Sequence, residues 1–79
     1  MSFEMRVEFC MQWNYAPKAA SFAEDLFSHF RSNIKNIELV PSSGGAFEVF
    51  VNGDKVYSKL ETGKFPDAEE MIDKLSKGL

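Results

Sequence analysis

Cys10 is the residue best suited to covalent chemistry in this chain of 79 residues, and it is the only cysteine. It ends a segment, residues 3–10, in which apolar and polar residues alternate as they do along a strand with one buried face. A helical pattern follows this segment. A thiol between the end of a strand and the start of a helix can have its thiolate stabilised by the helix dipole. Cys10 is therefore either a reactive thiol or a small buried hydrophobe that completes the strand.

Few other residues could assist Cys10. His29 lies near the far end of the predicted helix, roughly 18 Å along its axis at 1.5 Å per residue, so we expect an exposed side chain rather than a Cys-His pair. Lys18, in the first turn of the helix, is the nearest cation that could favour the thiolate, although an ordinary solvated lysine is the simpler interpretation. One cysteine and one distant histidine cannot supply the three or four ligands of a metal site, so we expect no metal and no bound cofactor.

A strand and an amphipathic helix must position Cys10. The helix is predicted by apolar residues three and four positions apart, with charged residues between them. Pro17 suits its first turn, where the missing N–H would have had no partner, and the start is expected between Asn14 and Pro17. The apolar face consists of Ala19, Phe22, Ala23, Leu26, Phe27 and Phe30.

The middle of the chain predicts three more strands. Residues 33–41 indicate a second strand, which Pro41 should end because it cannot donate to a ladder. After a turn at residues 42–45, strands are predicted at residues 46–51 and 55–60 as antiparallel neighbours. The pair Asn52-Gly53 between them is the one best suited to the positive φ values of a tight hairpin turn.

A second helix is predicted after a turn at residues 62–64. Pro66 can open it, and Asp67, with Glu70 three residues further on, can cap it. Gly78 is expected to stop it. Its apolar face consists of Ala68, Met71, Ile72 and Leu75.

The resulting order is β-α-β-β-β-α. A strand, a helix and a second strand of one sheet form a parallel crossover, which is right-handed in nearly all proteins, and the hairpin completes a mixed four-stranded sheet. Each helix has one apolar face and must lie on that sheet. The sequence therefore predicts an α/β fold, a two-layer sandwich that forms one domain over residues 1–79.

Composition limits the class of partner. Nine Lys and Arg against 12 Asp and Glu give a net charge of −3, and the basic residues are scattered, so neither nucleic acid nor an anionic membrane is an expected partner. No stretch is apolar enough to span a bilayer, and the N-terminus lacks the pattern of a signal peptide. A lone cysteine favours a reducing, cytoplasmic setting. The oligomeric state is left open.

Several spaced motifs resemble those of one family. They are Val7-Glu8-Phe9-Cys10-Met11-Gln12-Trp13, then Tyr15 and Pro17-Lys18-Ala19, and later Gly44-Gly45-Ala46-Phe47-Glu48-Val49, Asn52-Gly53, Ser58-Lys59 and Gly63-Lys64-Phe65-Pro66. They cover almost the whole chain, which looks like a member of the selenoprotein W family, Rdx-type proteins of thioredoxin-like fold. The resemblance implies thiol redox chemistry at a C-x-x-C or C-x-x-selenocysteine loop after the first strand, with glutathione or thioredoxin-system partners.

The chain departs from the family motif at its second redox position, which Trp13 occupies. A dithiol oxidoreductase attacks a disulfide with one thiolate and releases the mixed disulfide with the other, and Trp13 cannot perform the second step. The expected activity is at most that of a monothiol oxidoreductase. Cys10 would then be the catalytic residue and would form a mixed disulfide with glutathione, as a co-substrate, or with a thiol protein.

Met11, Trp13 and Tyr15 are the candidate binding residues beside Cys10. Trp13 either offers an exposed ring to a peptide or to glutathione, or folds back onto the sheet in a member that has lost catalysis. The alternative function is a non-catalytic interaction module that binds a protein through the loop of residues 11–15. Thiol exposure separates the two functions, because exchange needs an accessible Cys10 and an interaction module tolerates a buried one.

Overall fold

A computed structural model describes residues 2–78 and contains the predicted series of elements. A single 3-10 turn, Arg31–Asn33, and a four-residue helix are added to that series. In chain order the elements are β1 (Phe3–Cys10), α1 (Ala16–Phe30), β2 (Ile34–Ser42), β3 (Phe47–Val51), β4 (Asp54–Ser58), α2 (Lys59–Thr62) and α3 (Ala68–Ser76).

The four strands form one sheet in the order β2-β1-β3-β4. β1 is central and pairs parallel with β2, ending with Cys10 opposite Ser42. On its other side β1 pairs antiparallel with β3, which in turn pairs antiparallel with β4. This topology confirms the predicted mixed sheet with its parallel crossover and its hairpin.

One hydrophobic core joins the sheet to the helices. Alternate residues of β1 and β3 point into it, and Val7 and Val49, which lie opposite each other, are fully buried. α1 contributes an apolar stripe, and α3 buries Met71 and Leu75. This arrangement confirms the two-layer sandwich. One position of the predicted stripe differs, since Phe27 is 42% exposed. The buried residues of α1 are Ala19, Phe22, Ala23 and Leu26.

The predicted bounds of β2 are wrong at both ends. Asn33 belongs to the 3-10 turn, and the strand continues through Pro41 to Ser42. Because β2 lies at the edge of the sheet, a residue without an N–H can remain in the strand when its nitrogen faces away from the ladder. The prediction that Pro41 ends the strand is wrong for this reason.

The strand predicted over residues 55–60 is also wrong in its last two residues. β4 spans Asp54–Ser58, and α2 begins at Lys59 and includes Thr62, which the sequence placed in a turn. Ser58 caps α2, since its hydroxyl accepts from the Glu61 amide. Gly63 ends the short helix in the left-handed conformation, with φ 81°.

The last helix and the hairpin turn follow the sequence more closely. α3 starts at Ala68, two residues after Pro66, because the Asp67 carboxylate caps it by accepting from the Glu69 amide at 2.9 Å. Asn52 and Gly53 both have positive φ, as predicted for the tight turn between β3 and β4. In the described part of the chain, the helices are too short or too polar to traverse a bilayer.

Candidate functional site

Cys10 lies at the carboxyl end of the central strand and is completely buried, with 0% of the residue exposed. Its backbone is held on both sides. The Cys10 amide donates to the Ala46 carbonyl at 2.9 Å, and the Cys10 carbonyl accepts from the Tyr15 amide at 3.1 Å. The structure therefore answers the question that the sequence left open, since the thiol is enclosed in this conformation.

A tight turn at residues 11–14 follows Cys10 and leads to α1. The Met11 amide donates to the Ser42 carbonyl at 3.2 Å, which ties the turn to the end of β2, and the Asn14 amide donates back to the Met11 carbonyl at 3.1 Å. Asn14 has a φ of 59°, a left-handed conformation that asparagine adopts more readily than most residues. α1 then begins at Ala16, inside the predicted interval.

Trp13 combines features of both interpretations that the sequence allowed. It is 61% exposed, so most of the residue faces solvent. One edge of its ring nevertheless lies against Gly45, so closely that a Cβ built on Gly45 would be 2.5 Å from Trp13 Cζ3. Met11 is 52% exposed on the same turn. The loop thus presents two large apolar side chains directly after a buried thiol.

Tyr15 joins Trp13 to a row of aromatic rings that reaches into the core. Successive ring centroids are 6.1, 4.7, 5.4 and 5.9 Å apart, each pair in an edge-to-face arrangement. We call this set the aromatic row. In order from the surface it contains Trp13, Tyr15, Phe65, Phe47 and Phe22.

Two lysines lie on the middle of the aromatic row. Lys18 Nζ is 4.7 Å from the centroid of the Phe65 ring. Lys59 Nζ is 5.3 Å from the same centroid and 5.4 Å from that of Tyr15. The Lys18 ammonium, considered above as support for the thiolate, thus rests on an aromatic ring. These contacts place positive charge beside an apolar surface.

Sequence reasoning missed the part that Phe65 plays at this site. The segment Gly63-Lys64-Phe65-Pro66 was part of the family resemblance, but spacing alone gave it no place near residues 11–15. Tertiary folding brings the segment before α3 next to the start of α1. His29 is exposed as predicted, and its ring packs on Phe30 with centroids 4.7 Å apart.

Glu48 is a second residue whose environment the sequence did not reveal. Its carboxylate is buried and accepts from the Ser58 hydroxyl, from the Lys59 amide at 2.9 Å and from the Leu60 amide at 3.5 Å. Lys55 Nζ lies 3.5 Å away. Burial raises the pKa of Glu48, but the hydrogen bonds and the Lys55 charge outweigh it and hold the pKa below its usual 4.5. The carboxylate thus serves to anchor the start of α2.

Comparisons with curated proteins identify relatives along most of the chain. A family model described as the Rdx family matches residues 4–77. Migration and invasion enhancer 1 of Bos taurus is 36% identical over 69 residues, which are 85% of this chain and 56% of that protein. The SelT-like protein of Arabidopsis thaliana is 53% identical over 34 residues, 43% of this chain and 16% of that protein. The chain therefore spans about half the length of the first relative and a smaller share of the second.

Two solved structures closely resemble the whole fold. A protein of Bordetella parapertussis has a TM-score of 0.92 and 26% identity, with 100% of both chains covered. A selenoprotein W-related protein of Vibrio cholerae has a TM-score of 0.91 and 26% identity, with 98% of this chain and 96% of that chain covered. The similarity extends over β1, both long helices and the hairpin alike.

Proposed function

The chain belongs to the Rdx family, whose relatives are thioredoxin-like redox proteins, and from that membership we propose that it is a protein-binding member of the family. The loop of residues 11–15 would be its docking surface. The observation that carries this proposal is the contrast between Trp13, which is 61% exposed, and Cys10, which is 0% exposed. Trp13, which occupies the second redox position of the family motif, is accessible, and the thiol of Cys10 is not.

Burial of the thiol argues against exchange in the folded protein. A thiolate must approach a disulfide sulfur closely to form a mixed disulfide, and a fully enclosed Cys10 gives such a substrate no approach. Exposed apolar side chains on one loop are, in contrast, typical of an interface. Trp13 and Met11 offer a partner apolar contact area. Ordering the tryptophan ring on binding costs little conformational entropy, because the side chain has only two χ angles.

Alkylation of Cys10 with iodoacetamide tests the buried-thiol half of this proposal. We expect reaction in native buffer to be about a hundredfold slower than in denaturing urea, because it must wait for a local opening. A matched control is the double variant Cys10→Ser, Trp13→Cys, which moves the single thiol to the exposed position three residues further on. Its thiol should react at the rate of a free cysteine. Equal native rates for the two proteins would contradict the proposal.

Peptide selection tests the docking half. A displayed library of random peptides is selected on the wild-type protein and then on Trp13→Ala. We expect the enriched peptides to lose binding to Trp13→Ala and to keep it for Phe27→Ala. Phe27 is an exposed aromatic residue that lies about three turns after the start of α1. Enrichment that does not depend on Trp13 would show that the loop is not the docking surface.

A second candidate function is the monothiol redox role, with glutathione as co-substrate or a protein thiol as partner. Its support is the position of Cys10, which ends β1 directly before a turn held to the sheet by the hydrogen bond from Met11 to Ser42. When the turn opens, the Cys10 thiolate would attack the disulfide of oxidised glutathione. One glutathione thiolate would leave, and a second external thiol would be needed to resolve the product, since Trp13 carries no thiol.

Mass analysis after incubation with oxidised glutathione tests this candidate. The monothiol role requires wild-type protein to gain one glutathione under native conditions, and Cys10→Ser to gain none. Modification that occurs only after unfolding would eliminate the role.

A further inference from the structure

The surface that begins at Tyr15 continues into an apolar groove. The groove has a volume of about 310 Å³ and runs between the first half of α1 and the segment that precedes α3. Phe22, Phe47 and Phe65, the inner members of the aromatic row, line it together with Pro17 and Pro66. An open groove of aromatic and proline side chains suits the side chains of an extended peptide.

Two positive charges stand at this groove without an acidic partner. Lys18 lines it, and Lys59 joins Lys18 near the Phe65 ring, both ammonium groups lying within 5.3 Å of that ring's centroid. The ion pairs within residues 2–78 involve Arg6, Lys55 and Lys77 and neither of these lysines. In a chain with a net charge of −3, this is a local concentration of positive charge on an apolar surface.

The opposite charge is also present, at one position. Asp25 lines the groove about two turns along α1 from Lys18. A ligand with its negative charge at the Lys18 and Lys59 end would avoid this carboxylate. The groove therefore has a polarity, with an anion-accepting end beside Tyr15 and an anion-repelling end beside Asp25.

We propose that this groove binds an acidic peptide segment, with an aromatic or aliphatic side chain between α1 and the segment before α3 and a neighbouring carboxylate at Lys18 and Lys59. This inference rests on the proposed docking function and names the chemistry of its partner. A carboxylate suits the two ammonium groups because charge-assisted hydrogen bonds are stronger than neutral ones. Two cations beside an apolar groove fit a peptide better than a nucleic acid, which needs a longer basic surface.

The test uses two capped pentapeptides that differ only in charge. One has a central phenylalanine flanked by two glutamates, and the other has glutamines in their place. Binding to the full chain is followed by chemical-shift changes of assigned backbone amides, which give both affinity and location. We expect the glutamate peptide to bind about tenfold more tightly, with the largest changes at Lys18, Phe22 and Phe65.

Matched lysine variants locate the charge contribution. Lys18→Gln and Lys59→Gln should each weaken binding of the glutamate peptide about two- to fivefold, the range for solvent-accessible charge pairs. They should leave the glutamine peptide unaffected. Lys35→Gln, an exposed lysine on β2, should change neither. Asp25→Asn should tighten the binding of the glutamate peptide, because it removes the repelling charge.

The outcomes separate this inference from the function on which it rests. If both peptides bind equally, or if shift changes fall only on residues 11–15, the acidic-groove inference is wrong, and the loop can still be a docking surface. If neither peptide binds, the inference is also wrong. Failure of the proposed function itself would appear in the library selection, as enrichment that persists on Trp13→Ala. Salt-dependent binding of the glutamate peptide at the groove supports the inference, and loss of that binding in Trp13→Ala would support the docking function as well.

Discussion

Gly45 supports Trp13, and the pair can be tested at the level of single atoms. Gly45 has a φ of 78°, and an added Cβ would meet the Trp13 ring at 2.5 Å. Its neighbour Gly44 has a similar φ of 68°, but an added Cβ there would meet nothing within 4 Å. The two glycines therefore share the same backbone strain on substitution and differ in the contact.

We expect Gly44→Ala to lower the free energy of unfolding by about 1–2 kcal/mol through left-handed strain alone. Gly45→Ala should cost about 1–3 kcal/mol more, because the methyl group must displace the Trp13 ring. Urea unfolding measures both. In a Trp13→Ala background the extra cost should disappear. Equal losses for the two glycine variants in the wild-type background would mean that the Trp13 ring does not rest on Gly45.

The residue types at the site could be found from the sequence, but their exposure could not. Cys10 and Trp13 were located by a motif and by alternation along β1. The amides of Cys10 and Met11 donate to the Ala46 and Ser42 carbonyls, which lie more than 30 residues away in sequence. No local pattern records such contacts, so the sequence alone allows both interpretations of the thiol.

Among the elements, α2 shows how one side chain can override a strand pattern. The β-branched and aromatic residues of the segment 55–60 predict a strand, yet the chain turns into a helix at Lys59. The reason is Glu48, whose carboxylate accepts from the amides of Lys59 and Leu60, the unpaired donors of a helix start. The hairpin turn at Asn52-Gly53 was predictable, in contrast, because its φ requirement is local.

This anchor makes stability depend on pH in a defined direction. The pKa of Glu48 is lower in the folded protein than its usual 4.5, so the charged form stabilises the fold above that pH, and this contribution is lost as the pH falls through the lowered value. We expect Glu48→Gln to lower the free energy of unfolding by about 1–3 kcal/mol at neutral pH. The difference from wild type should shrink below about pH 4.5.

Chemical unfolding at a series of pH values measures this difference. Glu24→Gln, at an exposed position of α1, is the matched control and should follow the wild-type curve. A Glu48→Gln deficit that stays constant from neutral to acidic pH would show that the carboxylate charge does not hold α2.

At the scale of the whole molecule, we expect the free energy of local opening to be highest in the central strand and to decrease towards the exposed turns. β1 pairs on both sides, and Val7 in β1 and Val49 opposite it in β3 are fully buried. The turn at residues 11–14 is exposed and is tied to the sheet by one backbone hydrogen bond from Met11. The family resemblance, which rests on spaced motifs, is confirmed by the match to the Rdx family model. The difference in packing between β1 and the turn can be described only from the fold.

Hydrogen exchange should resolve this gradation. We expect the Val7 amide to exchange only through global unfolding, and the Asn14 amide to exchange faster by at least about tenfold through a local opening. Exchange of both amides at one common rate would mean that the turn opens only when the protein unfolds. The monothiol candidate would then lose its route to Cys10.

The central position of β1 has a consequence for the protein during its synthesis. β1 leaves the ribosome before both of the strands with which it pairs, and the second of these is complete only at Val51. At about 5–20 residues per second, the apolar face of β1 waits on the order of seconds for its neighbours. During this time the apolar side chains of Met5, Val7 and Phe9 are available to a nascent-chain chaperone.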